Sequence, residues 1–145
     1  MKNIVRSIIG LLLGSILVSA SAQDSPSYKD GPVIYVSYIK TKPGRFDDYM
    51  AFLDSQYKKV MTEQKKAGII LDFRVFGAQP RHPTEPDIIL TVTYPNMAAL
   101  DRSDDADAVA AKVVGTPAKQ AQLTQEREAL RTVLGGELIR EMVLK

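Results

Sequence analysis

The chain predicts an α+β domain in which one four-stranded sheet carries its helices on a single face. Three observations point there. Residues 33–76 read as strand, long helix, strand with almost nothing between them; residues 87–144 repeat that order with the helical part in pieces; and the strands are apolar on both faces.

The first strand, residues 33–39, is β-branched and aromatic. Val33, Tyr35, Ser37 and Ile39 fall on one face, and Ile34, Val36, Tyr38 and Lys40 on the other. A sheet with helices on one side and water on the other would alternate more cleanly, so the second face is expected to meet a partner. Pro43-Gly44 breaks the strand. A helix follows to Ala67, with Phe46, Tyr49, Met50, Leu53, Tyr57, Val60 and Met61 forming one stripe at three- and four-residue steps. Asp47 and Asp48 in its first turn, and Lys65 and Lys66 in its last, complement the helix dipole; each such charge is worth roughly 0.3 to 1 kcal/mol. Gly68 is placed to close the helix in the left-handed conformation, with Ile69 packing back on it.

Ile69 to Phe76 reads as the second strand, with Leu71, Phe73 and Val75 opposed to Asp72, Arg74 and Phe76. A proline-rich loop, residues 77–86, carries His82, the chain's one histidine. The third strand, residues 87–94, sets Ile88, Leu90, Val92 and Tyr94 against Ile89, Thr91 and Thr93. Asn96 and Ser103 are candidate caps for two short helical pieces. Thr116-Pro117 restarts a helix that is expected to run to Gly135-Gly136, its inner side marked by Leu123, Leu130 and Leu134 with Arg127 between them. Residues 138–144 read as the last strand. Right-handed crossovers in a βαββαβ chain place the first and third strands centrally and both helical regions on one face, which is a ferredoxin-like sandwich. The doubly apolar strands then predict a two-fold homodimer through the open sheet face.

The ends and the composition narrow the function. Lys2 and Arg6 precede the apolar run Ile8 to Val18, and Ala20-Ser21-Ala22 follows it, a pattern that predicts a signal peptide cleaved after Ala22. The run is short of the roughly 20 residues that span a bilayer, so no membrane attachment is expected after cleavage. Removing residues 1–22 takes two of the 19 basic groups and leaves 123 residues with 17 basic and 17 acidic side chains. That neutral balance argues against nucleic acid, which is bound through an excess of Lys and Arg. Residues 23–31 are polar and aperiodic and read as a flexible leader; residues 32–145 are the single domain. The chain has no cysteine, which excludes thiol catalysis, cysteine metal sites and disulfides. The expected destination is periplasmic or secreted.

The stretch from Ile34 to Tyr49, an apolar strand followed by Lys42-Pro43-Gly44 and then a helix with Phe46 near its start, resembles the opening of the dimeric α+β barrel superfamily, which includes antibiotic-biosynthesis monooxygenase-like domains. The likeness extends over residues 32–145 and implies a dimeric α+β barrel. Haem-binding members ligate iron through a histidine of the second helical region; residues 96–134 hold none, so no haem is expected. Asp101, Asp104, Asp105 and Asp107 surround a helix start, where Asp is favoured anyway, and no metal site is assigned to them.

The resemblance implies a pocket between sheet and helices, and the residues able to orient a ligand there are Tyr35, Tyr38, Tyr49, Arg74, His82 and Tyr94. Each has a structural alternative: the tyrosines as core rings, Arg74 paired with Asp72, His82 as a solvated loop residue. No nucleophile motif, phosphate loop or dinucleotide fingerprint occurs. The preferred reading is an exported dimer that binds a small apolar or aromatic molecule without a cofactor. A cofactor-independent monooxygenase or isomerase acting on a small aromatic substrate is the alternative, and a structural dimer with a filled core is the third.

Overall fold

The computed structural model describes residues 26–145; the expected signal peptide and the first residues of the expected leader lie outside the described residues. The elements in order are β1 (Tyr28–Thr41), α1 (Phe46–Phe52), a π-helical turn (Leu53–Tyr57), α2 (Lys58–Lys66), β2 (Asp72–Gly77), β3 (Ile88–Tyr94), a 3-10 turn (Met97–Asp101), α3 (Ser103–Val114), α4 (Pro117–Leu130) and β4 (Arg131–Leu144). The sheet is antiparallel throughout, in the order β2-β3-β1-β4. First and third strands are central, as the βαββαβ pattern requires, and the arrangement is ferredoxin-like.

β1 is the longest-paired element. It bonds β3 from Val33 to Ile39 on one edge and β4 from Tyr28 to Thr41 on the other. Residues 28–31 therefore belong to the sheet and not to a flexible leader: Tyr28, Lys29 and Asp30 pair with Leu144, Val143 and Met142, and Arg140 donates to Asp30 at 2.6 Å. A polar, aperiodic run gives no strand signal when its partner strand supplies the order.

On the helix side, Ile39, Ile88 and Leu90 of the sheet pack with Tyr49 and Leu53, and Phe52, Tyr57 and Leu130 close around them. The long helix continues through the π turn with helical dihedrals at Leu53 and Lys58. It ends at Gly68, whose φ of 66° is the left-handed closure expected there. The predicted strand start at Ile69 shifts to Asp72. Ile69 and Ile70 are almost wholly buried in the connection instead, where Ile69 donates its N–H to the Gln64 carbonyl. Asn96 caps the 3-10 turn by accepting from the Ala99 N–H, and Thr116 caps α4 by accepting from the Lys119 N–H. Ser103 opens α3 without a capping side-chain bond.

A second correction concerns Gly135-Gly136, which do not stop a helix. α4 already ends at Leu130, and both glycines lie inside β4 beside a register shift between Tyr38 and Ile39 of β1. Leu134, expected on a helix, is a strand residue with its side chain exposed. A side-chain carbon at Gly136 would stand 2.7 Å from the Val36 carbonyl oxygen and 3.0 Å from the Tyr35 hydroxyl. Only a glycine lets the Tyr35 phenol lie across β4 there.

Among the described residues no helix covers the far face of the sheet. Ile34 and Val36 of β1 form its apolar centre beside Thr91 and Thr93 of β3, and the edge strands carry Phe76 and Ile139 as well as Asp72, Arg74 and Glu141; together they line a groove of about 450 Å3. The expectation of apolar residues on both faces holds for β1, while the edge strands mix apolar and charged residues.

Replacing Gly136 with Val is expected to destabilise the fold by roughly 1–3 kcal/mol through overpacking against β1. A urea unfolding midpoint equal to that of the wild type would show that the Tyr35 crossing does not require glycine.

Candidate functional site

The π turn shapes the helix-side cleft. Widening the helix by one residue per turn over Leu53–Tyr57 sends Leu53 and Tyr57 toward the sheet, and such turns recur at functional sites. Tyr57 meets Phe73 of β2 edge to face, with ring centres 5.9 Å apart. Together with Met50, Leu53 and Val75 these two rings line a cavity of about 140 Å3 between the helix and the β2 edge, and the Asp54–Lys58 ion pair also lines it.

Two arginines from the second crossover stand over the aromatic rings of the long helix. The Arg127 guanidinium of α4 lies 5.3 Å from the Tyr57 ring centre and 5.9 Å from that of Phe52, and it donates to the Tyr49 hydroxyl at 3.4 Å. Arg131, the first residue of β4, lies 6.0 Å from the Tyr49 ring centre. These are cation–π distances. Three polar atoms in this box are shielded from solvent and have no hydrogen-bond partner: the Tyr57 hydroxyl, Arg127 Nε and Arg131 Nε. Burial pushes the Tyr57 phenol up to about 12, against the pull of the Arg127 charge. Burial, and then repulsion from Arg127, pulls Arg131 below the usual arginine value.

The residues singled out from the sequence divide between the two faces. Tyr49 is fully buried on the helix side, inside the arginine and aromatic box. Tyr94 is half-buried near Tyr35, and burial followed by that neighbouring phenol raises its pKa. Tyr35 is well exposed beside Gly136. Tyr38 lies on the other face, where its hydroxyl donates to Glu137, and that bond is the main reason its pKa is raised. Arg74 lies on the same face and donates to Asp72 at 3.0 Å. Lys65 and Arg74 together hold the Asp72 carboxyl down at about 2. His82 is exposed in the loop between β2 and β3.

Phe52, Tyr57, Phe73, Arg127 and Arg131 make the box and were not among the residues singled out. One sequence signal pointed to them: Arg127 sits four residues after Leu123 and three before Leu130, a charged residue on an otherwise apolar stripe. Among the described residues no group of His, Cys, Asp or Glu is arranged to hold a metal ion, and no helix is long and apolar enough to cross a membrane. Asp105, from the acidic run, instead pairs with Arg102 at 2.9 Å.

No protein-family model matches the chain, and no curated protein matches it in sequence. Solved structures share its fold. Protein SO0527 from Shewanella oneidensis is 15% identical, with a TM-score of 0.51 over 80% of this chain and 98% of that one. HapK from Hahella chejuensis is 13% identical, with a TM-score of 0.50 over 75% of this chain and 91% of that one. At such identities the likeness is one of fold, and it agrees with the ferredoxin-like strand order.

Proposed function

We propose that the protein is an exported homodimer that holds a small apolar or aromatic molecule in the cleft between its long helix and its sheet. The observation that carries the reading is the cavity beside Tyr57 and Phe73, apolar on most of its wall, with the Tyr57 ring and the Asp54–Lys58 ion pair in its lining. A few convergent polar groups on an apolar wall are what a small-molecule site needs. The volume of about 140 Å3 restricts the ligand to about one ring, since an apolar cavity near 150 Å3 takes benzene. Binding is favoured over proton abstraction because a Tyr57 phenol at about 12 stays protonated at neutral pH and donates a hydrogen bond there.

Export rests on the signal-peptide pattern of residues 1–22. The homodimer rests on the sheet face away from the helices, where Phe76 and Ile139 are 45% and 44% exposed in a groove that also carries charges of both signs. A two-fold partner would cover those apolar residues and leave the charges to set the register.

Three measurements check this reading. Sedimentation at micromolar concentration is expected to give a two-chain species for the wild type and a single chain for Ile139→Glu; a wild-type monomer rejects the homodimer. 4-Fluorotoluene, followed by 19F NMR, is expected to bind the wild type and to lose binding in Val75→Trp, which fills the cavity from the β2 edge; unchanged binding in that variant would place the molecule elsewhere.

Tyr57→Phe is expected to stabilise the empty protein by about 1 kcal/mol, because it removes a buried hydroxyl that has no partner. A phenol whose folded pKa is raised by burial adds no pH-dependent cost below pH 10 and destabilises the fold progressively as pH rises from there to about 12. Urea midpoints of Tyr57→Phe should therefore fall less than those of the wild type over that window. A lower midpoint for the variant at pH 7 would show that the hydroxyl is bonded after all.

A further inference from the structure

We propose that the molecule held in the cleft carries a carboxylate or similar anionic group, seated on Arg127, Arg131 and the Tyr57 hydroxyl. This deepens the proposed function and rests on it. Among the described residues neither guanidinium forms an ion pair, and the one carboxylate whose charge acts on Arg131, Glu128, only partly offsets burial and the repulsion from Arg127. Arg127 donates to the neutral Tyr49 hydroxyl and otherwise faces aromatic rings, and Arg131 faces the Tyr49 ring. Elsewhere in the described chain Arg45, Arg74, Arg81, Arg102 and Arg140 all form ion pairs with Asp or Glu. Among the described arginines, the two that the fold draws into an aromatic box are the ones without an ion pair.

That pattern has a physical consequence. Two like charges held near each other and partly desolvated repel, and the arrangement costs free energy until an anion neutralises it. The lowering of the Arg131 pKa by burial and by Arg127 is the expected sign of such uncompensated charge. Aromatic faces stabilise a guanidinium but leave its in-plane N–H groups unbonded. Arg127 Nε, Arg131 Nε and the Tyr57 hydroxyl are three such donors without acceptors. A carboxylate has two oxygens with about four acceptor sites and takes planar guanidinium donors well. Tyr57 belongs both to this box and to the cavity wall, and its ring is the one group that joins the cavity to Arg127.

The test compares 4-fluorobenzoate with 4-fluorotoluene by 19F NMR titration at constant ionic strength. These probes share a ring and differ in the acid group. 4-Fluorobenzoate is expected to bind the wild type at least tenfold more tightly, and Arg127→Gln and Arg131→Gln are each expected to lower its affinity to that of 4-fluorotoluene. Arg74→Gln, on the opposite face of the sheet, should leave the preference intact. Equal affinities of the two probes for the wild type overturn the anionic ligand while leaving the cleft reading in place. Binding of neither probe removes both. An Arg74→Gln effect as large as that of Arg127→Gln also overturns the proposal, since the attraction would then be diffuse charge and not this box. Folding of each variant is read from circular dichroism, and the wild-type comparison decides the matter even where a variant does not fold.

Discussion

Pairing of β1 along both of its edges is the constraint that holds the rest of the molecule in place. Fourteen residues of one strand join β3 on one side and β4 on the other, so that chain segments far apart in sequence share one sheet. Val33 and Ile39 are essentially inaccessible because their side chains meet the helices while both flanks of their backbone are bonded. Asp87 reinforces the end of the strand: its two carboxylate oxygens accept from the Thr41 N–H at 2.9 Å and the Thr41 hydroxyl at 2.7 Å. A buried strand end without such acceptors would strand a backbone donor.

From that sheet two unequal faces follow. The helix side is filled by Tyr49, Leu53, Ile88 and Leu90, yet a space lined by Met50, Leu53, Tyr57, Phe73 and Val75 remains between the long helix and the β2 edge. Arg127 and Arg131 reach the Tyr57 and Tyr49 rings from α4 and the start of β4, which follow each other at Leu130 and Arg131 with no loop between them. Among the described residues the opposite face is built from strands alone, apolar along β1 and mixed apolar and charged on the edge strands. Its Arg74–Asp72 pair stands near solvent and contributes little to stability by itself. The same ionic groups are well placed to orient a covering partner.

Composition and hydrophobic period made most of the architecture legible. Alternation in residues 33–39 and 87–94 placed two strands, the three- and four-residue recurrence from Phe46 to Met61 placed the long helix, and Gly68 and Thr116-Pro117 marked their termini through local backbone preference. These signals survive folding because they concern a residue and its near neighbours. Where a residue's role depended on a distant segment, local reading failed. Gly135-Gly136 resemble a helix stop, but Gly135 takes a positive φ inside β4, and a side chain at Gly136 would press on the Val36 carbonyl and the Tyr35 phenol, a hundred residues earlier. Residues 28–31 resemble a tail, and β4 makes them strand.

The candidate site divides along the same line. The sequence by itself determined that this is a βαββαβ chain with tyrosines available to a cleft, because side-chain period reports which face of an element is apolar. It also showed one charged residue, Arg127, out of keeping with its apolar stripe. Tertiary structure alone decided that Arg127, Arg131 and Tyr57 converge, that Arg74 and Tyr38 lie on the other side of the sheet, and that the two half-buried guanidiniums form no ion pair among the described residues. The reason is that convergence depends on how α4 crosses the long helix and on the register of β4, and both are set by contacts between residues 70 to 110 positions apart.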